Sequence, residues 1–168
     1  MKVVITGHSR GIGKGIYEYF VKKNYEVIGF SKSNGYDISD ENIRNEIILE
    51  CLDSNIFVNN AYNNHDESQL FLLKGVSEIW KESKNIIINI SSRNDKLDNT
   101  YGIQKRKLND FCSKIKSPHI LNMKIGYVDT ERVKNIKQNK MEVNEVVKIL
   151  DYCLNSNVKI EEIKFTCL

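Results

Sequence analysis

The sequence predicts a single α/β domain, a Rossmann-type, doubly wound, mainly parallel sheet with helices on both faces. Three observations lead there. Short β-branched runs alternate along the whole chain with longer stretches of helical periodicity, the pattern of successive βαβ units. The first of those runs passes directly into a glycine turn, Thr6-Gly7-His8-Ser9-Arg10-Gly11-Ile12-Gly13, that opens a helix. The chain has 168 residues with no linker, repeat or low-complexity tract, so residues 1–168 are read as one domain.

Each element has its own warrant. Val3-Val4-Ile5 is a buried strand. From Gly11 to Lys23, apolar residues at 12, 16, 19 and 20 share a helical face. Glu26 to Phe30 is the second strand. Asp40 to Leu52 carries Ile43, Ile47, Ile48 and Leu52 at helical spacing, with Asp40 placed to cap it. Ile56-Phe57-Val58 is a strand ending in Asn59-Asn60. Leu70 to Lys84 is a helix, and Asn85 to Ile90 is the most β-like run of the chain. A helix over Thr100 to Ile115, a strand over Ile120 to Ile125, a helix over Val143 to Leu154 and a strand over Lys159 to Thr166 complete the series. Right-handed crossovers bring the C-terminal ends of parallel strands to one edge, where ligands bind.

Composition removes several classes. Twenty-five basic against 22 acidic residues give a net charge of +3, interspersed rather than clustered, so no nucleic-acid partner is expected. The densest basic run, Lys105-Arg106-Lys107, reads by itself as a solvated helix face. No apolar run approaches the ~18 residues of a membrane helix, and the apolar stretch after Lys2 is too short for a secretion signal, so a cytoplasmic protein with no membrane partner is expected. Cys51, Cys112, Cys153 and Cys167 form no C-x-x-C pair, and the spacing of His8, His65 and His119 suggests no metal site.

Two segments carry chemistry on their own residues. Glycines at 7, 11 and 13 let the backbone turn sharply and bring a helix N-terminus, with its free N–H groups and dipole, close to a pyrophosphate. Tyr101 and Lys105 stand four apart on one helix face. An ammonium beside a phenol favours phenolate, and a tyrosine tuned that way exchanges protons nearer neutral pH. Ser91-Ser92 ends the Ile-rich strand and delivers hydroxyls to the same sheet edge.

Together these segments resemble the short-chain dehydrogenase/reductase family, in order and over most of the chain. Thr6-Gly7-x3-Gly11-Ile12-Gly13 is similar to its nucleotide fingerprint, and Asp37-Ile38 to the acidic-apolar pair beside the adenine. Asn59-Asn60-Ala61 matches the family's Asn-Asn-Ala-Gly, with Tyr62 in place of the glycine. Ile88-Asn89-Ile90-Ser91-Ser92 resembles the strand that brings the catalytic serine, and Tyr101-x3-Lys105 the catalytic pair. Ile125-Gly126-Tyr127-Val128-Asp129-Thr130 resembles the Pro-Gly-x3-Thr stretch at the nicotinamide end, with Ile for Pro.

The resemblance implies an NAD(P)-dependent oxidoreductase acting on a small carbonyl or alcohol substrate. Ser92, Tyr101 and Lys105 would be catalytic. Gly7, Ser9, Arg10, Gly11, Ile12 and Gly13 on the turn, Lys32, Asp37 and Ile38, Asn59, Asn60 and Ala61, and Gly126, Val128 and Thr130 would join Tyr101 and Lys105 around the cofactor. NADP(H) is expected over NAD(H): the second strand ends in Phe30-Ser31-Lys32 with no acid for a ribose 2′-hydroxyl, and Arg10 can pair with a 2′-phosphate.

Several departures shape the expectation. Only six positions separate Ser31 from Asp37, and nine separate Ser92 from Tyr101. The family's helix-borne catalytic asparagine has no secure counterpart, with Asn64 the nearest candidate. Residues 131–140 are polar apart from Val133 and Ile136, so the substrate site is expected to be shallow and open, or completed by a homo-oligomer. A non-catalytic dinucleotide-binding or scaffold protein is the rival reading.

Overall fold

The computed structural model describes residues 1–168. Its elements run β1 (Lys2–Thr6), α1 (Gly11–Lys22), β2 (Glu26–Phe30), α2 (Glu41–Glu50), β3 (Ile56–Asn59), α3 (Ser68–Ile79), β4 (Ile86–Ser92), α4 (Thr100–Lys114), β5 (His119–Ile125), α5 (Val143–Leu154) and β6 (Glu162–Phe165). All six strands are parallel, in the order β2-β1-β3-β4-β5-β6. The chain steps one way from β1 to β2 and returns across β1 to β3. The strand order therefore reverses between β1 and β3, and a crevice opens there at the carboxyl ends.

Strand alternation divides the core in two. Val3, Ile5, Val58, Ile88 and Met123 face one side, where Ile16 and Phe20 of α1 and Val146 and Leu150 of α5 cover them. Val4, Phe57, Ile87 and Ile120 face the other, under Ile47 of α2, Leu72, Leu73 and Val76 of α3, and Leu108 of α4. Toward the carboxyl edge the second face turns polar. Asn59, Asn89 and Asn122 occupy paired positions on three adjacent strands. Asn59 donates to Asn89 at 3.0 Å, and Asn89 donates to Asn122 at 2.8 Å. Asn122 donates to Asn109 of α4 at 3.0 Å. The ladder ties β3, β4, β5 and α4 into one register beneath the crevice, with only the Asn59 side-chain oxygen left without a partner.

Asp40 caps α2 as expected, accepting from the Asn42 N–H at 2.8 Å. Some boundaries differ from the sequence expectation. The helix expected to reach Leu52 ends at Glu50 and tightens into a 3-10 turn over Cys51–Asp53. The helix expected to reach Lys84 ends at Ile79, because the buried Trp80 closes it and donates its indole N–H to the Cys51 carbonyl at 3.0 Å. The β4 strand runs on through Ser91 and Ser92, which pair with Lys124 and Ile125. The last strand is shorter than expected, Glu162–Phe165. No helix is long and apolar enough to cross a membrane.

Candidate active site

One edge of the crevice is the glycine turn. The Thr6 hydroxyl accepts from the N–H groups of Asn60 at 3.1 Å and Ala61 at 3.0 Å and donates to the Val58 carbonyl at 3.3 Å. The Asn60 amide donates to the Thr6 carbonyl at 3.0 Å and the Gly7 carbonyl at 3.2 Å. These bonds lock the end of β1 to the end of β3. Gly7 and Gly11 have positive φ of 72° and 55°. Gly13 is required by contact: a Cβ there would stand 2.1 Å from the Gly7 carbonyl oxygen. That is a packing constraint inside the turn.

The N-terminus of α1 opens onto this turn. Its N-cap, Arg10, makes no side-chain capping bond, and its first turn holds no acidic residue. The first N–H groups of a helix have no partner within it and carry partial positive charge. The turn therefore fits a diphosphate. Ser9 and Arg10 are exposed beside it, and Ile12 and Thr130 are half-buried.

The opposite edge is built by β4 and α4. Ser92 ends the strand, and its hydroxyl accepts from the Asn94 N–H at 3.1 Å. Asn99 caps α4 by accepting from the Gly102 N–H at 2.9 Å. The nine-residue spacing between Ser92 and Tyr101 is accommodated because Gly102 has no side chain: a Cβ there would lie 2.1 Å from the Leu97 carbonyl oxygen. The short connection thus still brings Tyr101 to Ser92. Burial pushes the Tyr101 phenol above its usual range, while the neighbouring Ser92 hydroxyl and the Arg132 charge act in the opposite direction.

Lys105 lies one turn further along α4 and is buried, 4% exposed. Its Nζ donates to the Gln69 side-chain oxygen at 2.7 Å and to the Ile90 carbonyl at 3.1 Å. Burial, then repulsion from Arg132, pull Lys105 down to about 7. The tuning differs here from the sequence expectation. Although the Lys105 Nζ lies 5.6 Å from the centre of the Tyr101 ring, burial of the phenol outweighs the groups that favour its phenolate.

Between the two edges lies an open cleft of about 360 Å³. Ser92, Tyr101 and Lys105 line it together with Ile12, Asn60, Gly126, Val128 and Thr130. Val133 and Ile136 contribute apolar surface from the 131–140 strap. Tyr62 stands edge-on to Tyr101, with ring centroids 5.0 Å apart, and its buried hydroxyl has no partner.

Other expected residues are placed differently. The Asn59 side chain is turned away from the cleft into the asparagine ladder and donates to the Gln69 carbonyl at 3.0 Å. Lys32 pairs with Asp37 at 2.7 Å, which holds that carboxyl below its usual range, so Lys32 is already partly neutralised. Ile38 is a core residue. Asn64 lies in the cleft wall, precedes α3 and makes no bond to Lys105. The helix-borne amide that meets Lys105 is Gln69. Sequence reading missed Gln69 and Arg132, since neither stands in a motif. The one pointer to Arg132 was its position two residues after Thr130.

No protein-family model and no curated protein matches the chain. Solved structures do share its fold. A short-chain dehydrogenase from Burkholderia cenocepacia in complex with NADP superposes with a TM-score of 0.84 at 19% identity, covering 99% of this chain and 88% of that one. The 3-ketoacyl-(acyl-carrier-protein) reductase from Brucella melitensis complexed with NADH gives 0.78 at 15% identity, over 98% and 96%. An alcohol dehydrogenase from Thermococcus sibiricus complexed with 5-hydroxy-NADP gives 0.76 at 17% identity, over 98% and 95%. The chain thus has the Rossmann-type fold seen in short-chain dehydrogenases.

Proposed function

We propose that this chain is an NAD(P)(H)-dependent oxidoreductase of the short-chain dehydrogenase/reductase type, interconverting a carbonyl and an alcohol. The observation that carries the reading is the convergence of Ser92, Tyr101 and Lys105 on one cleft, which Ile12 at the start of α1, next to the glycine turn, also lines. A bound nicotinamide supplies hydride chemistry. The chain's own residues do the rest. The Ser92 hydroxyl orients the carbonyl oxygen, and the Tyr101 phenol gives that oxygen its proton in the direction of reduction. Burial keeps the phenol protonated until then. Lys105, held by Gln69 and Ile90, stands behind the tyrosine to meet the ribose and restore the proton.

NADP(H) is favoured over NAD(H). No acid ends β2, the Ser31 hydroxyl is engaged with Asn34 at 2.9 Å, and the exposed Arg10 guanidinium has no carboxylate within 4 Å. Tyr62 favours the rival, a dinucleotide-binding protein without turnover, because its ring stands against Tyr101 where the family pattern has a glycine. Calorimetric titration with NADPH and NADH, followed by a carbonyl panel assayed for cofactor oxidation, separates the readings. Absence of dinucleotide binding rejects both, and tight binding with no turnover across the panel selects the rival.

A further inference from the structure

The segment after Thr130 forms a strap. Its ends meet in a parallel bridge between Val128 and Met141. The Asp129 N–H donates to the Met141 carbonyl at 2.7 Å, and the Met141 N–H to the Tyr127 carbonyl at 2.9 Å. A 3-10 turn over Glu131–Val133 then carries Arg132 across the cleft. The guanidinium carbon lies 4.4 Å from the centroid of the Tyr62 ring and 5.7 Å from that of Tyr101. Stacking on an aromatic face fixes the plane of the fork and lowers its conformational freedom.

The charge of Arg132 is unmatched. The nearest acidic residues on the strap serve other partners: Glu131 pairs with Lys134, and Asp129 lies 3.8 Å from Lys140. Arg132 makes no ion pair or side-chain hydrogen bond of its own. None of the nineteen residues lining the cleft is an aspartate or glutamate, while two, Lys105 and Arg132, are basic. The Tyr62 hydroxyl beside the guanidinium is buried without a partner. A concave wall holding an oriented fork of donors, an orphan hydroxyl and no anion is built for a carboxylate.

We propose that the substrate is a small oxo acid or the corresponding hydroxy acid, its carboxylate received by Arg132 while its carbonyl carbon lies before Ser92 and Tyr101. This rests on the oxidoreductase reading above. The guanidinium carbon lies only 5.7 Å from the centre of the Tyr101 ring, so carboxylate and reacting carbonyl belong to one small molecule, such as a 2-oxo or 3-oxo acid. The reduction balances as hydride to carbon from the bound nicotinamide and a proton to oxygen from Tyr101, leaving the carboxylate unchanged.

The test compares pyruvate with methyl pyruvate and acetoacetate with methyl acetoacetate, each with NADPH. Wild type should favour the acids in kcat/KM by about 10- to 100-fold, the range of a charge-assisted bidentate contact. Arg132→Met should bring the acid-to-ester ratio close to one, and Arg132→Lys should fall between. A second readout avoids turnover: malonate titrated by calorimetry into NADPH-loaded protein should bind wild type and not Arg132→Met. Equal use of acid and ester by wild type overturns the proposal, as does failure of wild type to bind malonate. It is also overturned if Arg132→Met loses NADPH affinity and keeps malonate binding, since the guanidinium then serves the dinucleotide's diphosphate. Arg132-dependent malonate binding without turnover of any carbonyl upholds the anion site and rejects the oxidoreductase reading.

Discussion

The Nζ of Lys105 is held at 2.7 Å by the side-chain oxygen of Gln69, whose own amide donates to the Asn59 and Ile90 carbonyls, each at 2.9 Å. A buried lysine is thereby positioned from α3 by a neutral partner rather than a carboxylate. Gln69→Leu should cost about 10- to 100-fold in kcat, the range lost when a buried charged group loses a hydrogen bond. Gln69→Glu tests position against charge. A carboxylate there favours the ammonium, so the Lys105 inflection in the pH–rate profile should move above 7; an unmoved profile would show that Gln69 is only structural.

Lys105 also makes stability depend on pH. Its folded pKa, about 7, lies below the 10.5 of an exposed lysine. Between those values the unfolded chain binds one more proton than the folded one, so stability from this group rises with pH, by up to ~1.4 kcal/mol per unit. Below pH 7 the cost of burying the charge is present in full. Urea unfolding from pH 6 to 10 should show a steeper rise for wild type than for Lys105→Met.

In the proposed mechanism Tyr101→Phe removes the proton donor and spares the other residues assigned to the cofactor. Turnover should fall by about 10²- to 10⁴-fold, the span typical of general acid catalysis, with NADPH affinity kept within about twofold. Retention of most of the wild-type rate on a confirmed substrate would exclude Tyr101 as the acid.

The glycine turn separates two kinds of substitution. Gly13→Val would drive a side chain into the Gly7 carbonyl and Asn60, so the variant should lose folded structure rather than only ligand affinity. Gly11→Ala meets Thr130 at 3.2 Å and is strained by its positive φ. It should fold with a loss of about 1–2 kcal/mol, read from the urea midpoint, and bind NADPH more weakly.

Arg10→Ala tests the cofactor preference. Loss of a guanidinium–phosphate contact should weaken NADPH by about tenfold or more and leave NADH within about twofold, compared at matched salt. Equal losses for both would assign Arg10 to the diphosphate.

What was legible in the sequence was whatever local spacing encodes. Strand and helix periodicities, the glycine fingerprint, Asp40 as a cap and the Tyr101–Lys105 pair are relations between residues a few positions apart, so they read directly. The place of the Asn59 side chain was not legible because a motif names a residue without saying which face of the strand it takes. Its pairing with Asn89 and Asn122 exists only across the sheet. Gln69 and Arg132 act on Lys105 and Tyr101 from 36 and 31 positions away, a proximity that only the closed sheet creates. The pKa of Tyr101 was expected to fall because the sequence shows neighbours but not burial, and burial is the larger effect.

The bridge between Val128 and Met141 makes the strap a closed excursion whose two ends are already joined. Its length is therefore uncoupled from the register of β5 and from the seating of α5. Lengthening such an excursion costs only the slow logarithm of loop closure, about 0.6 kcal/mol for each doubling. The fold can thus exchange what covers its cleft without altering what supports it. Segments of other lengths can be carried between Asp129 and Met141 as self-contained cassettes, with the rest of the molecule serving as an unchanged chassis.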